Sequence, residues 1–171
     1  ILQLFNITYY MHVTKGYAHL DIKTENIGLI ELDSTSDIRL FDFGNVRYSQ
    51  SVVSSDFQDV EKMGTIGYMA PELCRLLLNK KARASYQIPE SKASRCDMFS
   101  IGVVAFSLLT NRPLASAPEN MNDMQKQAYL CHLFADDDRY QRRLKRSMEK
   151  LDLLDENIQT LINGLLRFDP E

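Results

Sequence analysis

The chain has 171 residues, 44% of them hydrophobic and 25% charged, enough for one globular domain with a real core. Its formal net charge of −3 offers no argument for binding nucleic acid or an anionic membrane. The three cysteines are odd in number, lack metal-ligand spacing and fit a reducing compartment. No run approaches about 18 apolar residues, so no membrane span is expected.

Residues 1–13 place Ile1, Leu4, Phe5, Tyr9 and His12 at three- and four-residue steps, the period of one amphipathic helix. Lys15-Gly16 closes it, with Gly16 as the cap, and Tyr17-Ala18 reads as a short strand. The stretch His19-Leu20-Asp21-Ile22-Lys23-Thr24-Glu25-Asn26 then brings an acid, an ammonium and an amide close together. A phosphoryl-transfer site needs those groups. A carboxylate orients the attacking hydroxyl, a lysine neutralises the moving phosphoryl group, and an amide oxygen holds magnesium. Ile27 to Leu32 reads as a strand, residues 33–37 as a polar turn, and Ile38 to Phe41 as the partner strand, a hairpin that delivers Asp42 close to Asn26.

Gln50 to Lys62 is serine-rich and aperiodic, hence a loop. The segment between Glu72 and Asp97 carries Arg75, Lys80, Lys81, Arg83, Lys92 and Arg95 against Glu90; it reads as a solvated insertion ahead of a docking surface for an acidic partner. Asp97 to Thr110 is apolar nearly all round, the pattern of a buried helix, with Asp97 suited to its N-terminal dipole. Asn111-Arg112-Pro113 ends that helix. Met121 to Arg146 reads as an interrupted helix. Its charge reversal, from Asp136-Asp137-Asp138 to Arg139, Arg142, Arg143, Lys145 and Arg146, reads as a solvated face. Leu151 to Phe168 places Leu154, Ile158, Leu161, Ile162, Leu165 and Leu166 at core-helix spacing.

Four motifs in order carry a resemblance. The stretch from His19 to Asn26 resembles the catalytic loop of eukaryotic-type protein kinases, H-R-D-L-K-P-E-N, with Leu20 in place of Arg and Thr24 in place of Pro. Asp42-Phe43-Gly44 follows Asn26 by 16 residues. Gly64-Thr65-Ile66-Gly67-Tyr68-Met69-Ala70-Pro71-Glu72 and Asp97-Met98-Phe99-Ser100-Ile101-Gly102-Val103 come after. The resemblance covers nearly the whole chain. It implies a mainly α fold with small β-hairpins (α+β), the large C-terminal lobe of a serine/threonine kinase with the small lobe absent. Residues 1–171 would then be a partial kinase domain, from the helix before the catalytic loop to just before the domain's C-terminal end, cut at both ends. The Gly-rich loop and strand lysine of the small lobe would lie upstream of Ile1.

By the same resemblance, Asp21 accepts or orients the substrate hydroxyl proton and Lys23 stabilises the transferring γ-phosphoryl of ATP. Asn26 and Asp42 hold Mg²⁺, and Gly44 completes the nucleotide-side turn. His19 and Phe43 stack to keep Asp42 aimed inward. Thr65 hydrogen-bonds Asp21 and Lys23, and Lys23 with Thr65 marks serine/threonine over tyrosine acceptors. Ile66 to Met69 line the pocket for the residue after the acceptor. Glu72 and Asp97 are structural: Glu72 pairs with an Arg beyond Asp169-Pro170, where the chain has stopped, and Asp97 accepts backbone N–H groups of the catalytic loop. The implied partners are ATP and a protein substrate, with no nucleic acid and with the oligomeric state left open, in an intracellular setting, cytoplasmic or else nuclear.

The place of Gln50 to Lys62 between Gly44 and Gly64 matches the activation segment, and Ser49, Ser51, Ser54 and Ser55 are candidate phosphate acceptors or ordinary loop serines. Leu20 removes the arginine that anchors such a phosphate, and Glu61 stands where many relatives carry the phosphorylated Thr, so a phosphate switch of the usual kind is not expected. Two functions stay open: an active kinase, or a pseudokinase serving as a binding or scaffold module. Gly28 stands where relatives floor the adenine pocket with a bulky apolar residue, which weighs toward the second. The complete catalytic-loop and magnesium set favours the first.

Overall fold

The computed structural model describes residues 1–32, 35–48, 64–79, 90–151 and 154–167. The chain enters through α1 (Leu2–Tyr9), which widens into a π turn over Tyr10–Thr14, where the Lys15 N–H reaches back to the Tyr10 carbonyl at 3.1 Å. A single regular helix was the expectation for this segment. Inside α1 the buried Thr8 hydroxyl bonds back to the Leu4 carbonyl at 3.0 Å, so this polar side chain is satisfied in the core. Gly16, at φ 72°, ends the segment in the left-handed conformation that its cap position requires.

The strands are few and short. β1 (Tyr17–Ala18) and β4 (Arg47–Tyr48) form one antiparallel pair; β2 (Ile27–Leu32) and β3 (Thr35–Leu40) form the other. The hairpin is the expected one, but its second strand begins earlier. Ser36 and Asp37 belong to the ladder, opposite Glu31 and Ile30. Both are exposed, and an exposed antiparallel strand accommodates polar side chains on its solvent face without loss of backbone pairing. Phe41 lies just beyond β3, yet its N–H still donates to the Asn26 carbonyl at 2.8 Å.

The helices make up the rest. α2 (Pro71–Leu78) starts with proline in its first turn, where a missing N–H costs nothing. The central helix α3 (Glu90–Thr110) begins seven residues before Asp97. Asp97 is therefore an interior residue of the helix, and its service to the helix dipole is withdrawn. The polar run from Glu90 to Arg95 has no apolar period to signal a helix, which is why the start was misplaced. Asn111, at φ 51°, turns the chain out of α3.

α4 (Asp123–Ala135) opens with a reciprocal capping box between Asn122 and Gln125, and α5 (Asp137–Met148) with Asp136 accepting from the Arg139 N–H at 3.0 Å. The interruption expected between residues 121 and 146 falls at this cap. α6 (Glu156–Leu165) is shorter than the stretch from Leu151 to Phe168, and Ile158 and Leu161 are exposed on it. Only part of its apolar periodicity is core.

Two clusters of buried side chains meet at α3. Leu4, Met11, Ile22, Leu40, Ile101 and Val104 form one, beneath the stretch from His19 to Asn26. The larger one runs from Leu73 and Cys74 through Phe99 and Phe106 to Phe134, Tyr140 and Leu166. α3 and α6 approach closely at Gly102, where a Cβ would lie 2.8 Å from that of Leu165. The window Ala93–Thr110 has a mean hydropathy of 1.3 and is long and apolar enough to cross a bilayer, although 61% of it is buried inside this chain. That burial is what a core helix requires.

Glu61 and the serines at 49, 51, 54 and 55 lie outside the described residues, as do Lys80, Lys81, Arg83 and the Asp169-Pro170 pair.

Candidate active site

The site is built on Asp97. Its side chain is fully buried; one carboxylate oxygen accepts the Leu20 N–H at 2.7 Å, and the other accepts the His19 N–H at 2.7 Å and lies 2.7 Å from His12 Nε2. A buried carboxylate is tolerated only when its lone pairs are filled. Here the π turn supplies His12, and the loop entering the site supplies two backbone donors. Leu20 is held at φ 64°, an uncommon conformation for a branched side chain. The two Asp97 bonds flank this residue and hold the backbone there, while its side chain sinks into the larger core.

His19 is also fully buried. Its Nδ1 accepts the Asp21 N–H at 3.3 Å, so the proton sits on Nε2, which donates to the Phe41 carbonyl at 3.1 Å. The imidazole thus ties the loop carrying Asp21 to the end of the hairpin carrying Asp42. Phe43 meets the His19 ring edge-on at 5.3 Å between centroids and is 55% exposed.

Asp21, Lys23, Asn26 and Thr65 come together. The Thr65 hydroxyl donates to Asp21 Oδ1 at 2.8 Å and accepts from Lys23 Nζ at 2.8 Å. Lys23 Nζ also lies 3.3 Å from Asp21 Oδ2. The Asn26 amide nitrogen donates to the Asp21 carbonyl at 2.9 Å, leaving its side-chain oxygen as the remaining acceptor. Asp42 follows Phe41, whose N–H donates to the Asn26 carbonyl at 2.8 Å; it is exposed, at φ 60°, and its Oδ1 accepts the Gly44 N–H at 3.3 Å.

The donor set suits a hard divalent cation. An amide oxygen at Asn26 and a carboxylate at Asp42 match what magnesium takes from a protein when substrate phosphates and water complete its shell. Among the described residues there is no cluster of three or more His, Cys, Asp or Glu that could form an all-protein metal cage.

A family model for the protein kinase domain matches residues 1–171. The chain belongs to the protein kinase family. Its relatives include Citron Rho-interacting kinase of Mus musculus, 37% identical over 144 residues, which are 81% of this chain and 6% of that protein. Another is serine/threonine-protein kinase CHK1 of Saccharomyces cerevisiae, 32% identical over 121 residues, 71% of this chain and 20% of that protein. A third is calcium-dependent protein kinase 5 of Plasmodium falciparum, 30% identical over 72% of this chain and 18% of that protein. The chain spans at most about a fifth of the length of these relatives.

Several features of this kinase domain were not legible in its motifs. His12 was read only as a helix position. Gly64 was read only as the start of a motif, yet its φ is 95° and a Cβ there would lie 2.5 Å from the Leu20 carbonyl oxygen. That carbonyl is backbone, and it belongs to the residue whose N–H donates to Asp97. Gly64→Ala is therefore expected to cost about 1–3 kcal/mol of stability. It should also pull Thr65 from its bridge, lowering kcat by about 10²-fold. Denaturant melts and initial rates on the same protein check both.

Gly28 is not bare. A Cβ on it would lie 2.4 Å from Phe41 Cε2, so the Phe41 ring, 50% exposed, lies over the backbone of Gly28. The two residues sit diagonally across the hairpin, since Gly28 pairs with Arg39.

Glu72 is half-buried beside the Cys96 thiol, whose sulfur lies 3.7 Å from Glu72 Oε1. Burial and then the Glu72 charge hold the Cys96 thiol well above the ordinary range. A hydrogen bond with Cys131 and then burial do the same for Cys74. The Tyr140 phenol is likewise pushed up, by burial and then by Glu72, and donates to the Leu166 carbonyl. These thiols stay protonated and behave as core side chains.

Proposed function

We propose that the protein carrying this chain transfers the γ-phosphoryl group of ATP to serine or threonine hydroxyls of protein substrates. The observation that carries the reading is the joining of Asp21, Lys23 and Thr65 by contacts of 2.8 to 3.3 Å. A carboxylate, an ammonium and a hydroxyl in that arrangement suit acceptance of a hydroxyl proton beside a charge that stabilises the departing phosphoryl group.

In this reading Asp21 orients the acceptor hydroxyl and takes its proton. Lys23, held by Thr65, neutralises charge on the γ-phosphoryl as it moves. Asn26 and Asp42 hold magnesium, which when bound supplies charge neutralisation at the phosphate oxygens. His19 links the two halves of the site, and Phe43 packs against it. Gly44 fixes Asp42 through its N–H. Glu72 and Asp97 serve the scaffold. The exposed apolar surface of Leu29, Phe41 and Phe43 suits an adenine ring or the small lobe of a kinase domain. The Phe41 ring over Gly28 answers part of the doubt that Gly28 raised about nucleotide affinity. Residues 1–171 would be the large lobe of the domain. The setting would be intracellular, with α3 a core helix and not a span; the buried thiols of Cys74, Cys96 and Cys131, not joined in disulfides, suit a reducing compartment.

Phosphoamino-acid analysis of substrate labelled by the full-length protein tests acceptor choice. Phosphoserine or phosphothreonine is expected; mainly phosphotyrosine would remove the assignment of Lys23 and Thr65. No transfer at all would favour the pseudokinase reading.

A further inference from the structure

Arg139 stands three and four residues before Arg142 and Arg143 on α5, and Arg146 four and three residues after them. They stand on one face of the helix, while Tyr140, Leu144 and Ser147 on another face are buried. All four line a cleft of about 320 Å³, together with Tyr129 and Leu133 of α4 and Ser116 of the loop after α3.

Like charges at these spacings repel one another along a helix. Nearby acids do little to relieve them. Asp137 is held by Arg75 of α2 at 3.1 Å, and Asp136 caps the helix, reaching the Arg139 side chain only at 3.8 Å across an exposed pair. Among the described residues no carboxylate forms an ion pair with Arg142, Arg143 or Arg146.

The wall is also built. Arg143 donates through Nε to the Leu114 carbonyl at 3.1 Å, and the buried Ser147 hydroxyl donates to the same carbonyl at 3.1 Å. This pins the loop carrying Ser116 against α5 and fixes one of the guanidinium groups that line the cleft. Arg139, Arg142 and Arg146 are exposed around it.

We propose that this cleft binds a phosphorylated side chain on a segment of a partner protein. Guanidinium forks match the several oxygens of a phosphate dianion, and four of them can share one such group where a single carboxylate would satisfy only one or two. The cleft's size admits a phosphate with one or two neighbouring side chains. Its concavity is poorly matched to a flat bilayer surface, and the chain's net charge of −3 gives no long-range attraction for nucleic acid. The inference uses none of the phosphoryl-transfer residues and stands whether or not the chain catalyses.

The test uses the full-length protein without ATP and fluorescein-labelled peptide pools, degenerate around a central phosphoserine, serine or glutamate. The phosphoserine pool should bind at least about tenfold tighter than the other two. Millimolar inorganic phosphate should displace it. The Arg142→Glu/Arg146→Glu pair should lose that binding with an unchanged melting temperature, since both side chains are exposed. Arg112→Glu, an exposed arginine outside the cleft, should leave it intact. Equal binding of the three pools, no binding of the phosphoserine pool, or binding that survives the double substitution would overturn the proposal. So would an equal loss in Arg112→Glu. Binding only to phosphatidylcholine–phosphatidylserine vesicles, abolished by the same pair, would assign the cleft to lipid and overturn it too.

Discussion

Asp21→Asn in the full-length protein is expected to lower kcat by roughly 10² to 10⁴, the usual cost of a lost general base. Nucleotide affinity should stay nearly unchanged. Asp21 Oδ1 accepts from Thr65, and Oδ2 lies beside Lys23 at 3.3 Å and the Asn26 amide at 3.4 Å. Asparagine keeps one acceptor oxygen but presents N–H donors where the carboxylate met other donors. It also removes the negative charge that holds Lys23. The acceptor hydroxyl thus loses its base, and the lysine loses part of its restraint. Steady-state rates alongside equilibrium ADP binding separate the two effects. A variant that loses nucleotide binding and rate together would place Asp21 on the nucleotide side and contradict its assigned role.

Asp97→Ala should cost about 3–5 kcal/mol, the range seen when one partner of a buried charged group is removed. The substitution strands the His19 and Leu20 N–H groups in the core, each previously bonded at 2.7 Å to a carboxylate. It also leaves His12 without its contact and frees Leu20 from the restraint on its φ of 64°. Against a typical domain stability of about 5–15 kcal/mol that is a large fraction. Asp97→Asn, which retains one acceptor oxygen, should lose less. Chemical denaturation of the three proteins measures the order. A loss under about 1 kcal/mol for Ala would mean that the backbone donors find other partners, and that the loop is not held from α3.

The motifs made the local chemistry legible because it is local. Asp21, Lys23 and Asn26 fall within six consecutive residues, and the β2–β3 hairpin announces itself by two apolar runs on either side of a polar stretch, although residues 35–37 of that stretch belong to β3. The burial of α3 could be read from its apolar surface, but its start could not, since Glu90 to Arg95 is polar. Asp97 was expected to receive the catalytic loop; His12 at 2.7 Å was not, because the pair is separated by 85 residues and depends on a π turn that no sequence period marks. Gly64 and Phe41 escaped for the same reason: what each opposes is decided by tertiary approach. The arginine face of α5 read as solvated because spacing along one helix does not show what the neighbouring loop and α4 enclose. Ile158 and Leu161 show the converse, an apolar period without a partner to cover it.

The proposed function requires that this chain hold a working magnesium-dependent phosphoryl-transfer site. Transfer from γ-labelled ATP, measured side by side for the full-length wild type and Asp42→Asn across a magnesium titration, tests it most directly. Magnesium-dependent labelling of protein substrate is expected for wild type and none above background for Asp42→Asn, which keeps its fold because the side chain is exposed. The same trace labelling in both, indifferent to magnesium, would contradict it.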